Sequence, residues 1–255
     1  MKCVKSICLQ LALWASVFLS ASVTNVCAGV VNRIETKQKI VALTFDADMT
    51  LSMLKRLKSG GTASWFNKDV IATLRKERIP ATLFLTGLWI ESYPAETRAL
   101  SEDPLFELGN HSYSHAGFHL PCYGLSGVPK SNEVAEIEKT DALLRKYATS
   151  YRKLFRFPGL CFDAEAVRSV EGRGYSVIGG DVSAGDGFSG NPTAIAQRVV
   201  GQIRPGSIVI LHMHGGPNAP HTATILSALI PKLRARGYSF AKVSDLMSLA
   251  EQARR

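Results

Sequence analysis

The sequence has 255 residues, of which 46% are hydrophobic and 20% are charged. This length suffices to bury one sizeable core and fits one barrel-sized domain at least as well as two smaller ones. The net charge of +9 arises without a run of Lys and Arg interleaved with aromatic residues, so we expect no nucleic-acid partner. A basic charge suits anionic polymers, although solubility alone also accounts for it.

The first 28 residues have the pattern of a secretory signal. Lys2 and Lys5 form a basic end, residues 7–19 form a short apolar run, and Val26-Cys27-Ala28 resembles a cleavage site. A retained membrane anchor is the alternative, but the apolar run is short for a span. The sequence therefore predicts a cleaved signal at residues 1–28 and one mature domain at residues 29–255. We expect this domain to be periplasmic or secreted, without a stable membrane span.

The five cysteines divide between these two segments. Cys3, Cys8 and Cys27 lie within the predicted signal, which leaves Cys122 and Cys161 in the mature chain. An even pair in an oxidising compartment predicts a disulfide between them. Two free thiols are the alternative.

Predicted strands and helices alternate along the mature chain. The strands cover residues 39–45, 81–86, 105–108, 154–157, 175–179, 207–211 and 238–243. The helices cover residues 67–78, 94–100, 132–147, 163–172, 192–203 and 222–236, with a last helix from residue 244. Residues 49–64 are interpreted as a long loop or a broken helix, and residues 117–129 as a loop. The alternation predicts either a parallel α/β barrel or an open doubly wound sheet.

Polar side chains follow the carboxyl ends of several predicted strands, which favours the barrel. In a barrel these ends converge on one face, where active sites lie. The residues concerned are Asp46, Asp48, His111, Arg156, Asp181 and His212.

Two pairs of residues predict a metal site. His111 and His115 are four residues apart, and we expect both on one face of a helical turn, where they can point at a single ion. Asp46 and Asp48 alternate at a strand end, so one carboxylate can bind the ion while the other stays free as a base. Chance spacing of the histidines and a surface pair of aspartates are the alternatives.

Two further candidates are an arginine and another histidine. Arg156 ends an apolar strand before Pro158-Gly159 and is suited to clamp a carboxylate. His212 also ends an apolar strand; a core histidine bonded to backbone is its alternative role. We interpret His119, His214 and His221 as loop residues, and a position at the rim of the site stays open for His214. Trp65 and Trp89 either stack on sugars or pack in the core, and the core is the expected role of each.

These parts predict metal-assisted hydrolysis of an acyl bond. The ion polarises the carbonyl and lowers the pKa of a bound water. Asp46 takes the proton from that water, and His212 protonates the departing nitrogen or oxygen.

Five short motifs resemble those of the polysaccharide deacetylases of the NodB-homology type, carbohydrate esterase family 4. They occur in the family's order between Thr44 and His212. They are Thr44-Phe45-Asp46-Ala47-Asp48, His111-Ser112-x-x-His115, Arg156-Phe157-Pro158-Gly159, residues 181–188, and Ile210-Leu211-His212.

The resemblance implies a fold, an activity and roles for these residues. The fold is a distorted (β/α)7-type barrel, and the activity is removal of acetyl groups from N-acetylated or O-acetylated sugars. Zinc is the expected metal, with cobalt, manganese and nickel as alternatives, and a polysaccharide or oligosaccharide is the expected partner. The resemblance implies that Asp46 is the general base, that Arg156 tethers Asp46, and that His212 is the general acid. The implied metal ligands are Asp48, His111 and His115. Gly159, through its backbone N–H, and Ile210 are implied to bind the substrate.

The sequence departs from the family pattern at three places. Ala47 separates two aspartates that are usually adjacent, as in a branch that includes enzymes acting on other amides. Ser183 occupies a position where an aspartate often orients the catalytic histidine, so Asp181 or Asp186 is expected to substitute. The expected tryptophan near Gly187 is absent, with Phe188 the nearest aromatic residue. Two alternatives therefore stay open: an amidohydrolase acting on a small cyclic amide or ureide, and a catalytically silent barrel that binds glycans or metal.

Overall fold

Eight parallel strands form one sheet in this computed structural model, which describes residues 29–188 and 190–253. In chain order they are β1 (Ile40–Ala47), β2 (Ala81–Leu85), β3 (Phe106–Asn110), β4 (Leu154–Phe155), β5 (Ser176–Val177), β6 (Val182–Ser183), β7 (Ile208–His212) and β8 (Ser239–Phe240). Seven of them are hydrogen-bonded in the order β5-β4-β3-β2-β1-β7-β6, and β8 pairs with the start of β1. The predicted signal at residues 1–28 lies outside the described residues.

The seven-strand path is a curved half-barrel whose edges are β5 and β6. Residues 31–33 link the two sides of the sheet, because Val31 bridges to Ile178 and Arg33 bridges to Ser207. The predicted α/β architecture, a single-domain distorted (β/α)7-type barrel, is confirmed. The open doubly wound alternative is wrong.

Nine α-helices of the described chain cover the sheet. They are α1 (Leu51–Lys58), α2 (Lys68–Lys76), α3 (Gly87–Ser92), α4 (Pro94–Glu102), α5 (Glu133–Tyr147), α6 (Ala164–Glu171), α7 (Pro192–Gln202), α8 (Thr222–Ala235) and α9 (Val243–Ala253). Asn67 and Asp163 accept backbone N–H groups at the starts of α2 and α6, as their sequence positions predict. None of these helices is long and apolar enough to cross a membrane.

The core lies between the sheet and the helices. Side chains of β1 and β2 are almost fully buried on both faces, as expected for central strands of a parallel sheet. Trp65 and Trp89 are fully buried, and their indole N–H groups donate to the carbonyl oxygens of Met53 and Trp65 at 2.9 and 2.8 Å. The core role predicted for both tryptophans is confirmed.

Three local features differ from the sequence-based expectation. Residues 49–64 contain one regular helix, α1, followed by a loop. Helix α3 was not predicted, because its apolar residues 87–90 lack both a side-chain cap and a polar face. Strand β6 was not predicted either; it has two residues, and pairing with β7 defines it.

A disulfide joins Cys122 and Cys161, as predicted. It connects the loop before α5 to the segment that follows β4. Close by, Phe118, Phe155 and Phe157 pack edge to face, with ring centroids 4.9–6.0 Å apart. The bridge therefore attaches a surface loop to an aromatic part of the core.

Asp141 on α5 is a buried carboxylate that holds several elements together. It accepts hydrogen bonds from Tyr151 and Tyr175 and pairs with Arg145 and Lys153. Burial by itself would raise the pKa of Asp141. Its hydrogen bonds and ion pairs outweigh this effect, that with Lys153 most strongly, and hold the pKa below its ordinary value of 3.8.

We expect Asp141→Asn to lower the free energy of unfolding by about 2 kcal/mol, because buried donors lose a charged acceptor. Because the pKa of Asp141 is lower in the folded protein than in the unfolded chain, its carboxylate stabilises the folded state at pH values above the unfolded-state pKa. This stability is lost as pH falls below about 4. Urea unfolding between pH 7 and 2.5 should therefore show a weaker acid dependence in the variant. Glu138→Gln is the matched control, since Glu138 is 62% exposed in its ion pair with Arg173; equal effects of the two substitutions would contradict this assignment.

Candidate active site

A buried ion pair lies at the carboxyl end of β1. Arg156, fully buried, donates from Nη1 to Oδ1 of Asp46 and to Oγ1 of Thr44, both at 2.7 Å. Its Nη2 donates to the carbonyl oxygen of Gly179 at 2.8 Å, and its guanidinium lies 4.2 Å from the ring centroid of Phe84. These contacts leave Oδ2 of Asp46 as the carboxylate oxygen that faces the site.

Asp48, His111 and His115 converge beside this pair. Oδ1 of Asp48 lies 3.4 Å from Nε2 of His111 and 3.2 Å from Nε2 of His115. All three side chains are buried, and one candidate ligand atom from each lies within 4.8 Å of the others. The three metal candidates predicted from the sequence therefore meet in one place.

The segment carrying the two histidines is an irregular loop, so the helical turn predicted for it is wrong. Ser112 and His115 both have positive φ, at 64° and 56°. Asn110 accepts the N–H of Ser112 at 2.9 Å, and Glu136 on α5 accepts from both the N–H and the hydroxyl of Ser114. These side-chain bonds replace helical hydrogen bonds, which the four-residue spacing alone does not reveal.

The chemistry of this cluster fits a divalent ion. Nδ1 of His111 lies 2.8 Å from the carbonyl oxygen of Arg156, which can only accept, so Nδ1 carries the proton and Nε2 presents its lone pair. Among the described residues, neither Nε2 of His111 nor Oδ1 of Asp48 has a hydrogen-bond partner, although both atoms are buried. Buried polar atoms are normally paired, and a shared cation would satisfy both of these atoms.

His212 at the end of β7 is oriented by Asp186. Nδ1 of His212 lies 2.8 Å from Oδ1 of Asp186, while Oδ2 of the same carboxylate accepts from Thr222 at 2.6 Å. Burial lowers the pKa of His212, but the Asp186 carboxylate outweighs it and raises the pKa to about 10. Nε2 of His212 faces Asp48 at 3.8 Å.

Asp181 does not reach this site, so its expected convergence with the other strand-end residues is wrong. Its carboxylate accepts from the hydroxyl of Ser207 at 3.0 Å and from the N–H of Ile208 at 2.9 Å, at the opposite end of β7. Ser183 lies on the edge strand β6 and is exposed. Of the three residues considered as partners of His212, Asp186 makes the contact.

His214 lies inside the site and not at its rim, and the sequence did not predict its contact with Asp48. It is buried, not in an exposed loop, and its Nδ1 lies 3.5 Å from Oδ2 of Asp48. Burial lowers the pKa of His214 to about 4, with His212 and His115 adding to the effect. The signal was available, because His212 and His214 alternate just as Asp46 and Asp48 do.

The two residues assigned to substrate binding lie on separate segments, Gly159 after β4 and Ile210 on β7. Gly159 follows the Arg156 segment with φ +60° and packs against the disulfide, where an added Cβ would lie 2.7 Å from Sγ of Cys122. Ile210 is buried on β7, two residues before His212 and therefore on the same face of that strand.

The family model of polysaccharide deacetylases matches residues 33–178, more than half of the chain. The chain belongs to the polysaccharide deacetylase family. Within the matched segment lie Asp46, Asp48, His111, His115 and Arg156, which form the ion-pair and metal-candidate parts of the site.

Two known proteins resemble the chain over most of its length. The chain is 26% identical over 219 residues to a peptidoglycan-N-acetylglucosamine deacetylase of Bacillus cereus, and the match covers 84% of this chain and 91% of that protein. A family 4 acetyl xylan esterase from Clostridium thermocellum, in complex with a cobalt ion, superposes with a TM-score of 0.66 at 29% identity, covering 83% of this chain and 91% of that one.

A second similar structure bears on activity. A carbohydrate esterase family 4 pseudoenzyme from Bacillus anthracis superposes with a TM-score of 0.69 at 23% identity, covering 86% of this chain and 69% of that one. At this identity the likeness shows the fold alone. A polysaccharide deacetylase fold is therefore not sufficient for catalysis, and the function must be argued from the side chains of the site.

Proposed function

We propose that the chain is an exported, divalent-metal-dependent deacetylase that removes acetyl groups from N-acetylated sugars of a cell-wall or surface polysaccharide. The observation that carries this proposal is the meeting of three units in one buried site. They are the Asp46–Arg156 pair, the cluster of Asp48, His111 and His115, and the His212–Asp186 pair.

Asp48, His111 and His115 would hold the metal, most simply zinc, through one carboxylate oxygen and two imidazole nitrogens. A divalent ion bound there supplies Lewis-acid polarisation of the acyl oxygen and lowers the pKa of water. The carbonyl of Arg156 holds the proton of the neutral His111 imidazole on Nδ1, so that Nε2 is available as a ligand.

Asp46 is proposed as the general base. Arg156 donates to its Oδ1, which leaves Oδ2 to accept a proton from the attacking water. Asparagine at this position could accept the Arg156 hydrogen bond but could not take up that proton.

His212 is proposed as the general acid. Asp186 accepts a hydrogen bond from Nδ1–H of His212 and favours the charged imidazolium, so Nε2 can donate its proton to the departing sugar nitrogen. The backbone N–H of Gly159 would stabilise the developing oxyanion, and Ile210 would line the space beside the acetyl group.

Export is proposed from the signal pattern of residues 1–28 and from the disulfide. Cys122–Cys161 suits a periplasmic or extracellular protein, because oxidising compartments preserve such bridges. Removal of residues 1–28 would leave the catalytic domain at residues 29–255.

Acetate release tests the proposal. The mature protein would be incubated with chitooligosaccharides and peptidoglycan fragments in the zinc-loaded, chelated and zinc-restored states. We expect release that the chelator abolishes and zinc restores. Turnover of small cyclic amides alone would instead favour the amidohydrolase alternative, and glycan binding without any hydrolysis would favour a silent barrel.

A fourth histidine is expected to support the metal site. Oδ2 of Asp48, the oxygen that does not contact His111 or His115, lies 3.5 Å from Nδ1 of His214 and 3.8 Å from Nε2 of His212, so His214→Leu would remove the nearer of its two imidazole neighbours. We expect the Kd for zinc to rise about 10- to 100-fold, as for other residues that orient metal ligands. Competition with a chelating dye measures this Kd.

Two further variants separate positioning from general damage to the fold. His214→Gln, which keeps a polar group, should recover part of the lost zinc affinity. His221→Gln changes an exposed histidine seven residues away and serves as the control. Unchanged zinc affinity in the folded His214→Leu variant would exclude the supporting role.

A further inference from the structure

Two aromatic side chains are exposed beside the candidate active site. Tyr123 is 77% exposed and Phe188 is 69% exposed, and their ring centroids lie 5.9 Å apart with the planes inclined by 52°. They come from segments more than sixty residues apart in the sequence. We call this pair the aromatic rim.

The aromatic rim is continuous with the proposed site on both sides. A Cβ added to Gly159 would lie 3.3 Å from Cδ2 of Tyr123, so this ring adjoins the proposed oxyanion position. Gly187, the neighbour of Phe188 in the chain, approaches the imidazole of His212; an added Cβ there would lie 3.4 Å from Cε1. A molecule seated on the rim would therefore also border the reacting groups.

Contacts of neighbouring residues restrain the two loops that carry the rings. Tyr123 follows Cys122, whose disulfide to Cys161 attaches the loop, and the carbonyl of Cys122 accepts the N–H of Leu125 at 2.7 Å. Phe188 lies two residues after Asp186, whose carboxylate accepts hydrogen bonds from the N–H of His212 and the hydroxyl of Thr222. Because these contacts already restrict the loops, less ordering entropy would be lost when a ligand binds.

Exposed aromatic pairs are costly to leave in water and mark binding surfaces when they adjoin a polar site. A pyranose ring offers an apolar face of C–H bonds that packs on an aromatic face, while its hydroxyl groups stay in water. Trp65 and Trp89 are buried and present no such face.

We propose that the aromatic rim is a glycan subsite. It would stack on the sugar ring next to the one whose acetyl group enters the active site. This inference rests on the proposed function and adds a substrate contact supplied by the disulfide-linked loop. It implies that the enzyme prefers oligomers over a single sugar.

The test compares chitopentaose with N-acetylglucosamine as substrates of zinc-loaded protein. For Tyr123→Ala and Phe188→Ala we expect KM for the pentamer to rise about fivefold each, with kcat within about twofold of the parent value. The ratio of kcat/KM between pentamer and monomer should fall in both variants. Tyr123→Phe should retain the parent KM, because stacking uses the ring face and not the hydroxyl. Leu51→Ala removes an exposed apolar side chain from α1 and is the matched control.

The outcomes separate this inference from the proposed function. An active parent whose KM for the pentamer is unchanged in the double variant Tyr123→Ala/Phe188→Ala would overturn the subsite. If the parent releases no acetate, the proposed function fails, and calorimetric titration with chitopentaose then tests the subsite alone. Binding by the parent that the double variant loses would support it, and absence of binding by the parent, or equal binding by both, would overturn it.

Discussion

Replacing Asp46 with asparagine is expected to lower kcat for acetate release by about 10²- to 10⁴-fold, the range that one general base contributes. Asparagine keeps an acceptor for Arg156, so the buried guanidinium retains its contacts to Thr44 and Gly179. KM should change little, because the substitution removes proton transfer and not a binding surface. Acetate release under saturating substrate and zinc measures the effect.

The control for this substitution is Asp245→Asn, which neutralises an exposed aspartate in the first turn of α9. It should retain the parent kcat. Circular dichroism and zinc content must match between the two variants, so that a loss of activity reports on chemistry. A folded, zinc-loaded Asp46→Asn variant with parent kcat would refute the role of Asp46 as the base.

Replacing His111 with glutamine is expected to remove zinc binding and, with it, activity. His111 is one of three proposed ligands, and its loss should raise the Kd for zinc by more than the roughly 10- to 100-fold seen for residues that only orient ligands. Acetate release should fall to the level of the chelated parent protein, and added zinc should restore the parent but not the variant. Metal content by mass spectrometry and competition with a chelating dye provide readouts independent of activity.

His119→Gln is the matched control, because the side chain of His119 is 60% exposed and lies near Asp163, on the disulfide-linked loop and not in the buried cluster. It should keep the parent zinc content. Parent-level activity in zinc-free His111→Gln protein would show that the reaction proceeds without this metal site, and the mechanism proposed here would then be wrong.

Local sequence patterns predicted most of the fold because they report backbone geometry directly. Alternating apolar runs and caps located the strands and helices to within a few residues, as Asn67 and Asp163 illustrate. Failures occurred where the local pattern was weak. Helix α3 lacks a polar face, and β6 is a two-residue strand defined by its partner β7.

For the site, the residue types and their positions after strands were readable in the sequence. Because parallel strands end at a common face, Asp46, Asp48, His111, Arg156 and His212 could be grouped before any distance was known. The chemistry followed from the donor types, a carboxylate and imidazoles for a metal and a second carboxylate for a base.

The sequence by itself thus determined the family, the alternation of strands and helices, and the residues available for acyl hydrolysis. Only the tertiary structure decided which of them meet: it selected Asp186 over Asp181 as the partner of His212 and brought His214 to Asp48. It also replaced the predicted helical turn at His111 with a loop held by Glu136. The physical reason is that the spacing of residues along a chain specifies local periodicity. Contacts between distant segments depend instead on how the sheet curves and on where each loop passes over the carboxyl ends of the strands.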